Sequence, residues 1–67
     1  MPSSAIADYE CDDERWELLV IYRSGRAYIY HEVPAEEFAA MTAAESKGKF
    51  VNEVIKPRYR YTEVVPT

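Results

Sequence analysis

At 67 residues, 48% of them apolar and 30% charged, with little Gly or Pro, the chain has the make-up of one small globular domain and not of a disordered or fibrous protein. Such a length buries only about 60% of the surface exposed on unfolding, which excludes two lobes around a deep cleft. The formal charge of −4 argues against indiscriminate nucleic-acid binding, and the five-residue apolar run from Leu18 to Tyr22 is too short to span a bilayer. No signal-peptide pattern opens the sequence, so a cytoplasmic location and no membrane partner are expected. Cys11 is a single cysteine: it has no partner for an internal disulfide and, with one histidine, no zinc ligand set.

Ser3 to Tyr9 alternates weakly around Ile6 and reads as a short first strand. Asp8 to Arg15 reads as a charged connector. Its Asp12-Asp13-Glu14 cluster lacks the Gly turn and ligand spacing of a calcium loop, which makes it a solvated turn. From Trp16 to Pro34 the pattern is a β-hairpin leading into a helix: strand-favouring residues run to Tyr22, Arg23-Ser24-Gly25 interrupts, and Ala27 to Tyr30 resumes. A three-residue loop with Gly25 left-handed pairs Tyr22 with Arg26, Val20 with Tyr28, Leu18 with Tyr30 and Trp16 with Glu32. Tyr28 and Tyr30 then share the core face with Leu18, Val20 and Tyr22. A two-residue Ser24-Gly25 loop would pair Tyr22 with Ala27 and send both tyrosines to the other face. The three-residue loop is preferred. The opposite face carries Leu19, Ile21, Ala27, Ile29 and His31, so both faces are apolar and something must cover the second: a helix, the first strand or a partner chain.

Pro34 followed by Glu36 and Glu37 suits a helix N-terminus, and a helix is expected from about Ala35 to Glu45 with Phe38, Met41 and Ala44 or Glu45 in its buried stripe. At Ser46-Lys47-Gly48 the chain turns, Gly48 being able to adopt a left-handed conformation and Ser46 to cap the next helix. Phe50/Val51 and Val54/Ile55 recur at a spacing of four, predicting a short helix from Lys49 to Ile55 that Pro57 stops. Arg58 to Val64 alternates strictly and reads as a final strand or extended arm. The fold class is therefore α+β: a small antiparallel sheet built on a central β-hairpin, with two short helices packed on one face.

The chemistry-bearing residues point away from catalysis. His31 lies on the Leu19/Ile21/Ile29 face with no nucleophile at an obvious spacing, and reads as a packing or rim residue. The acids around Cys11 raise a thiol pKa and suppress thiolate. Ser46 and Gly48 before a helix are a weak anion-binding signal, since the long glycine-rich lead of a phosphate loop is missing. No catalytic residue, metal site or cofactor is expected, and there is no volume for a substrate pocket.

Charge is unevenly distributed: six acids against one base from Asp8 to Glu17, and five bases against one acid from Lys47 to Arg60. Simple complementarity between two solvated segments would account for this. The functional reading is a basic, tyrosine-interleaved RNA-binding segment in which Lys47, Lys49, Lys56, Arg58 and Arg60 meet phosphates while Tyr59 or Tyr61 stacks on a base. Against it, alternation separates tyrosines from arginines, so Tyr59 and Tyr61 on the core with Arg58 and Arg60 in water is the plain structural outcome. The alternative from a different class is a protein-interaction module or homodimer using Leu19, Ile21 and Ile29.

The spaced positions Leu18-x-Val20-x-Tyr22-x-x-Gly25-x-x-Tyr28-x-Tyr30-x-x-Val33-Pro34, then Ala44-x-Ser46-x-Gly48-x-Phe50-x-Asn52-x-x-Ile55 and Tyr59-x-Tyr61, preceded by Ser3-Ser4-x-Ile6, resemble the KTSC family. The resemblance covers almost the whole chain and implies that residues 1–67 form a single, free-standing KTSC-like domain. It implies little about activity. The family's association with lysyl-tRNA synthetases suggests RNA as a partner, but association with a neighbouring domain is not a mechanism.

Overall fold

The computed structural model describes residues 5–64. Four strands, β1 (Ile6–Asp12), β2 (Glu17–Tyr22), β3 (Ala27–Tyr30) and β4 (Tyr61–Val64), form one antiparallel sheet in the order β1-β2-β3-β4. The central hairpin has the expected register, with Val20 opposite Tyr28 and Leu18 opposite Tyr30. The loop explains it: the Tyr22 N–H donates to the Arg26 carbonyl at 2.8 Å, the Gly25 N–H donates to the Tyr22 carbonyl at 2.9 Å, and Gly25 has φ +96°. A side chain there would strain the backbone, which is why glycine closes this turn.

At its far end the hairpin departs from expectation. Trp16 and Glu32 do not extend the ladder; both are left-handed, at φ 57° and 59°, and the Val33 N–H donates instead to the Trp16 carbonyl at 2.7 Å. Trp16 is left exposed in the turn. The first strand also reaches further along the chain than its weak alternation suggested, running past Tyr9 through most of the acidic connector to Asp12. Asp8, Glu10 and Asp12 themselves alternate with Tyr9 and Cys11, so the carboxylates occupy one face of a regular strand opposite Ile21, Leu19 and Glu17. A register shift between Ile6 and Asp8 turns Ile6 into the core. The Asp12 carboxylate accepts the Glu14 and Arg15 N–H groups at 3.1 Å each, closing the turn into β2. Ser3 and Ser4 lie outside the described residues.

Helix α1 (Ala35–Ala43) begins after Pro34, which is its extended N-cap and not its first helical residue, and ends two residues before the expected Glu45. Its last carbonyls are satisfied from outside, because the Lys47 Nζ donates to the Ala44 carbonyl at 2.6 Å and the Thr42 carbonyl at 3.1 Å. The second helical segment, α2, is built of three contiguous pieces: Lys47–Phe50, a π-helical turn Val51–Ile55, and a last turn Lys56–Arg58. Ser46 caps it as expected, its hydroxyl accepting the Lys49 N–H at 3.3 Å. Gly48 is helical, not left-handed, and approaches Ala5. Pro57 does not stop the helix at Ile55. It has no N–H to donate, and the wide turn before it, in which the Lys56 N–H bonds back to the Val51 carbonyl, carries the chain one turn further.

Both helices pack on one face of the sheet. The core consists of Ile6, Leu18, Val20, Tyr30, Val33, Phe38, Met41, Val51 and Ile55. Each full burial of this kind contributes about 1.5–3 kcal/mol relative to exposure. Leu18, Val20 and Tyr30 come from one side of the hairpin, and the helices supply Phe38, Met41, Val51 and Ile55 opposite them. Leu19, Ile21 and Ile29 stay half-buried on the second face, which no described helix covers.

Candidate functional site

Period-two alternation places Tyr22 on β2, Tyr28 and Tyr30 on β3 and Tyr61 on β4 on the same side of the sheet. Tyr28 meets Tyr22 edge-to-face at 5.5 Å and Tyr61 at 5.3 Å, and Tyr61 tilts against Tyr30 at 5.8 Å. Such pairs add about 0.5–1.5 kcal/mol beyond their buried area, which favours this arrangement of the four rings. Its inner end, Tyr30, is fully buried; desolvation first, and the neighbouring Tyr22 hydroxyl second, push its phenol well above the ordinary range. The Tyr22 hydroxyl is itself buried without a well-formed hydrogen bond. Tyr61, at the outer end, is 56% exposed. Beside the ribbon, Tyr22, Ser24, Arg26, Tyr28 and Lys56 line a shallow cleft of about 190 Å³. The Arg26 guanidinium lies against the Tyr28 phenol and near the Glu63 carboxylate, and both hold it in the charged form.

The five bases expected to act as one patch are separated by the fold. Lys47 is occupied by the carbonyls that end α1. Lys49 opens onto a groove it shares with Glu45 and Glu53. Arg58 reaches Glu37 Oε2 at 3.4 Å, and the Tyr59 hydroxyl donates to the same oxygen at 2.9 Å. Desolvation, and then that bond, raise the Tyr59 phenol above its usual value. Arg60 precedes Tyr61 and lies alongside His31, whose N–H donates to the Arg60 carbonyl at 2.8 Å. By alternation its side chain belongs to the opposite side of the sheet from Tyr61. Lys56 and Tyr61 alone of the expected set flank the tyrosine ribbon. Arg26, Tyr22 and Tyr28 join them from the hairpin, residues that sequence reasoning assigned only to turn and core. Glu37, the acceptor that ties Tyr59 and Arg58 to α1, was read only as a helix-start residue; nothing in local spacing announces a partner 22 positions away.

On the second face, Glu10, Asp12, Glu17, Leu19 and Ile29 line a cleft of about 180 Å³. His31 bridges its rim: Nδ1 is 3.5 Å from Glu17 Oε2, and Nε2 shares a 2.7 Å hydrogen bond with the Thr62 hydroxyl. The Cys11 thiol is pushed up by desolvation and then by Asp13, in the direction expected from its acidic surroundings. No group of three or more His, Cys, Asp or Glu among the described residues could hold a metal ion. No helix among the described residues is long and apolar enough to cross a membrane.

The model of the KTSC domain matches residues 2–59, so Arg60 and Tyr61 fall just beyond the matched segment while Arg26, Tyr28 and Lys56 fall within it. A protein of Tsukamurella paurometabola is 45% identical over 58 residues, 87% of each chain, and an uncharacterized protein of Stutzerimonas stutzeri is 37% identical over 65 residues, 96% of this chain and 92% of its own. The crystal structure of a KTSC domain protein from Yersinia pestis superimposes with a TM-score of 0.87 at 28% identity, covering 97% of this chain and 92% of that one. The Yersinia pestis structure shares this α+β architecture. With its family match spanning nearly all of its length, the chain belongs to the KTSC domain family.

Proposed function

We propose that this protein is a small non-enzymatic module that binds single-stranded RNA on its tyrosine ribbon. The observation that carries the reading is Tyr61, more than half exposed yet held in place by Tyr28 and Tyr30, beside a cleft bearing Arg26 and Lys56. An exposed ring braced by two others offers a stacking platform for an unpaired base, and two cations at the neighbouring cleft suit the flanking phosphates. This differs from a footprint along the C-terminal segment: Lys56 and Tyr61 remain, Lys47 and Tyr59 serve the fold, and Arg58 is exposed beside the Glu37 carboxylate, away from the ribbon cleft.

The test is fluorescence anisotropy with a labelled oligouridylate of about ten nucleotides. Affinity is expected to fall with salt at a log–log slope of about −0.7 per phosphate neutralised, hence about −1.4 for Arg26 and Lys56 together. Tyr61→Ala should weaken binding about 5- to 150-fold, in keeping with 1–3 kcal/mol per stacked base. Arg26→Ala with Lys56→Ala should flatten the salt dependence. Absence of binding at low salt, or binding indifferent to Tyr61→Ala, removes the proposal.

A further inference from the structure

The second face of the sheet has a chemistry unlike that of the tyrosine ribbon. Leu19, Ile21, Ala27 and Ile29 form its apolar floor, all half-buried by their own neighbours, and no described helix lies over them. Along one side, β1 presents Asp8, Glu10 and Asp12, and β2 adds Glu17. Among the described residues, the cationic groups on this side are His31, already bonded to Glu17 and Thr62, Arg60 at the opposite margin, and Arg23, which follows Ile21 at a spacing of two and continues the ladder through its N–H to the Ala5 carbonyl. An apolar floor fenced by four carboxylates is a recognition surface with a definite polarity.

We infer that this face docks an extended, cationic segment of another protein, in which aliphatic side chains rest on Leu19 and Ile29 while neighbouring lysines or arginines meet Glu10, Asp12 and Glu17. Charge complementarity selects this occupant. A polyanion would bring its phosphates against the carboxylates, so this surface and the RNA-binding ribbon are mutually exclusive in their ligands. A second copy of the chain would bring four carboxylates from each side into one interface, against Arg23 and Arg60 from each at its margins. The cleft between Leu19 and Ile29, at about 180 Å³, is smaller than the roughly 300 Å³ at which small-molecule pockets begin, and suits one or two aliphatic side chains delivered by a larger partner. Asp12 is held by its turn bonds to Glu14 and Arg15, and Glu17 by His31, so two of the carboxylates are pre-positioned.

The experiment uses three synthetic octapeptides titrated into the isotopically labelled protein: one alternating Lys with Leu, one alternating Glu with Leu, and one alternating Lys with Ser. The expected result is binding of the Lys/Leu peptide alone, with amide shifts at Glu10, Leu19 and Ile29 and none at Arg26 or Lys56. Glu10→Gln combined with Glu17→Gln should weaken it at least 5-fold, and Leu19→Ser comparably, with circular dichroism confirming that each variant is folded. Tyr61→Ala should bind the peptide unchanged, which separates this face from the ribbon. Equal binding of the Lys/Ser peptide would reduce the effect to diffuse attraction and overturn the inference. So would a footprint on the ribbon, or a dimer in sedimentation equilibrium that Ile29→Glu dissolves, since the face would then belong to a second copy.

Discussion

Glu37 decides whether Tyr59 and Arg58 are structural or available, and its contribution is measurable. The Tyr59 hydroxyl donates to Glu37 Oε2 at 2.9 Å, and the Glu37 side chain is 13% exposed, so this charge-assisted bond is little diluted by solvent. Removing the hydroxyl in Tyr59→Phe leaves a nearly buried carboxylate short of one donor and should cost about 2 kcal/mol. Arg58 reaches the same oxygen at 3.4 Å from a side chain that is 65% exposed, and Arg58→Ala should cost no more than about 0.5 kcal/mol. Against a total stability of about 3–10 kcal/mol for a chain of this length, the first loss is large and the second is near the limit of detection. Urea denaturation of Tyr59→Phe, Glu37→Gln and the double variant gives the coupling directly, expected at about 1–2 kcal/mol. In thermal melts Tyr59→Phe should lower Tm by about 10 °C. A coupling indistinguishable from zero, or an Arg58→Ala as damaging as Tyr59→Phe, would refute the claim that Glu37 anchors the end of α2 through the phenol.

Gly25→Ala meets no atom within 4 Å, so its cost is backbone strain at φ +96° alone, about 1–2 kcal/mol in urea melts; an undiminished stability would mean that the loop is not left-handed. Tyr30 is raised in the folded state above the ordinary value near 10, so its contribution is fully present below pH 10 and is lost as pH rises toward the folded value, at about 1.4 kcal/mol per pH unit. Tyr30→Phe should make the fall in stability between pH 10 and 11 smaller by about 1 kcal/mol, since the unfolded phenol is still half protonated at pH 10; an identical slope would show that Tyr30 does not ionise on unfolding. Cys11, raised by desolvation and Asp13, should react with iodoacetamide at pH 8 several-fold more slowly in the folded protein than in urea, and a faster folded rate would contradict its environment.

The hairpin was legible because its rules are local. The spacing from Tyr22 across Gly25 to Tyr28 sets a loop length, the loop length sets the register, and alternation then assigns Tyr28 and Tyr30 to the side of Leu18 and Val20. The Phe38/Met41 stripe and the Ser46 cap follow from equally short-range rules. The acidic connector was misread because charge density suggested a loop, while the alternation of Asp8, Glu10 and Asp12 with Tyr9 and Cys11 already had the period of a strand. The helix beyond Ile55 was misread because Pro57 has a local veto on hydrogen bonding that a π-helical turn relieves.

What neighbouring residues could dictate is the pleat, the turn and the face each side chain takes, together with the motif that places the chain in the KTSC family. Which charges meet was decided only when distant segments closed on one another. Lys47 went to the end of α1, Arg58 and Tyr59 went to Glu37, and Lys56 came to lie beside Arg26, which stands 30 positions earlier in the chain. A side chain's direction follows from its own backbone and period, whereas its electrostatic partner depends on how two remote elements pack. The sheet face bearing Leu19 and Ile29 stayed open for the same reason: Phe38, Met41, Val51 and Ile55 all found their burial on the other side.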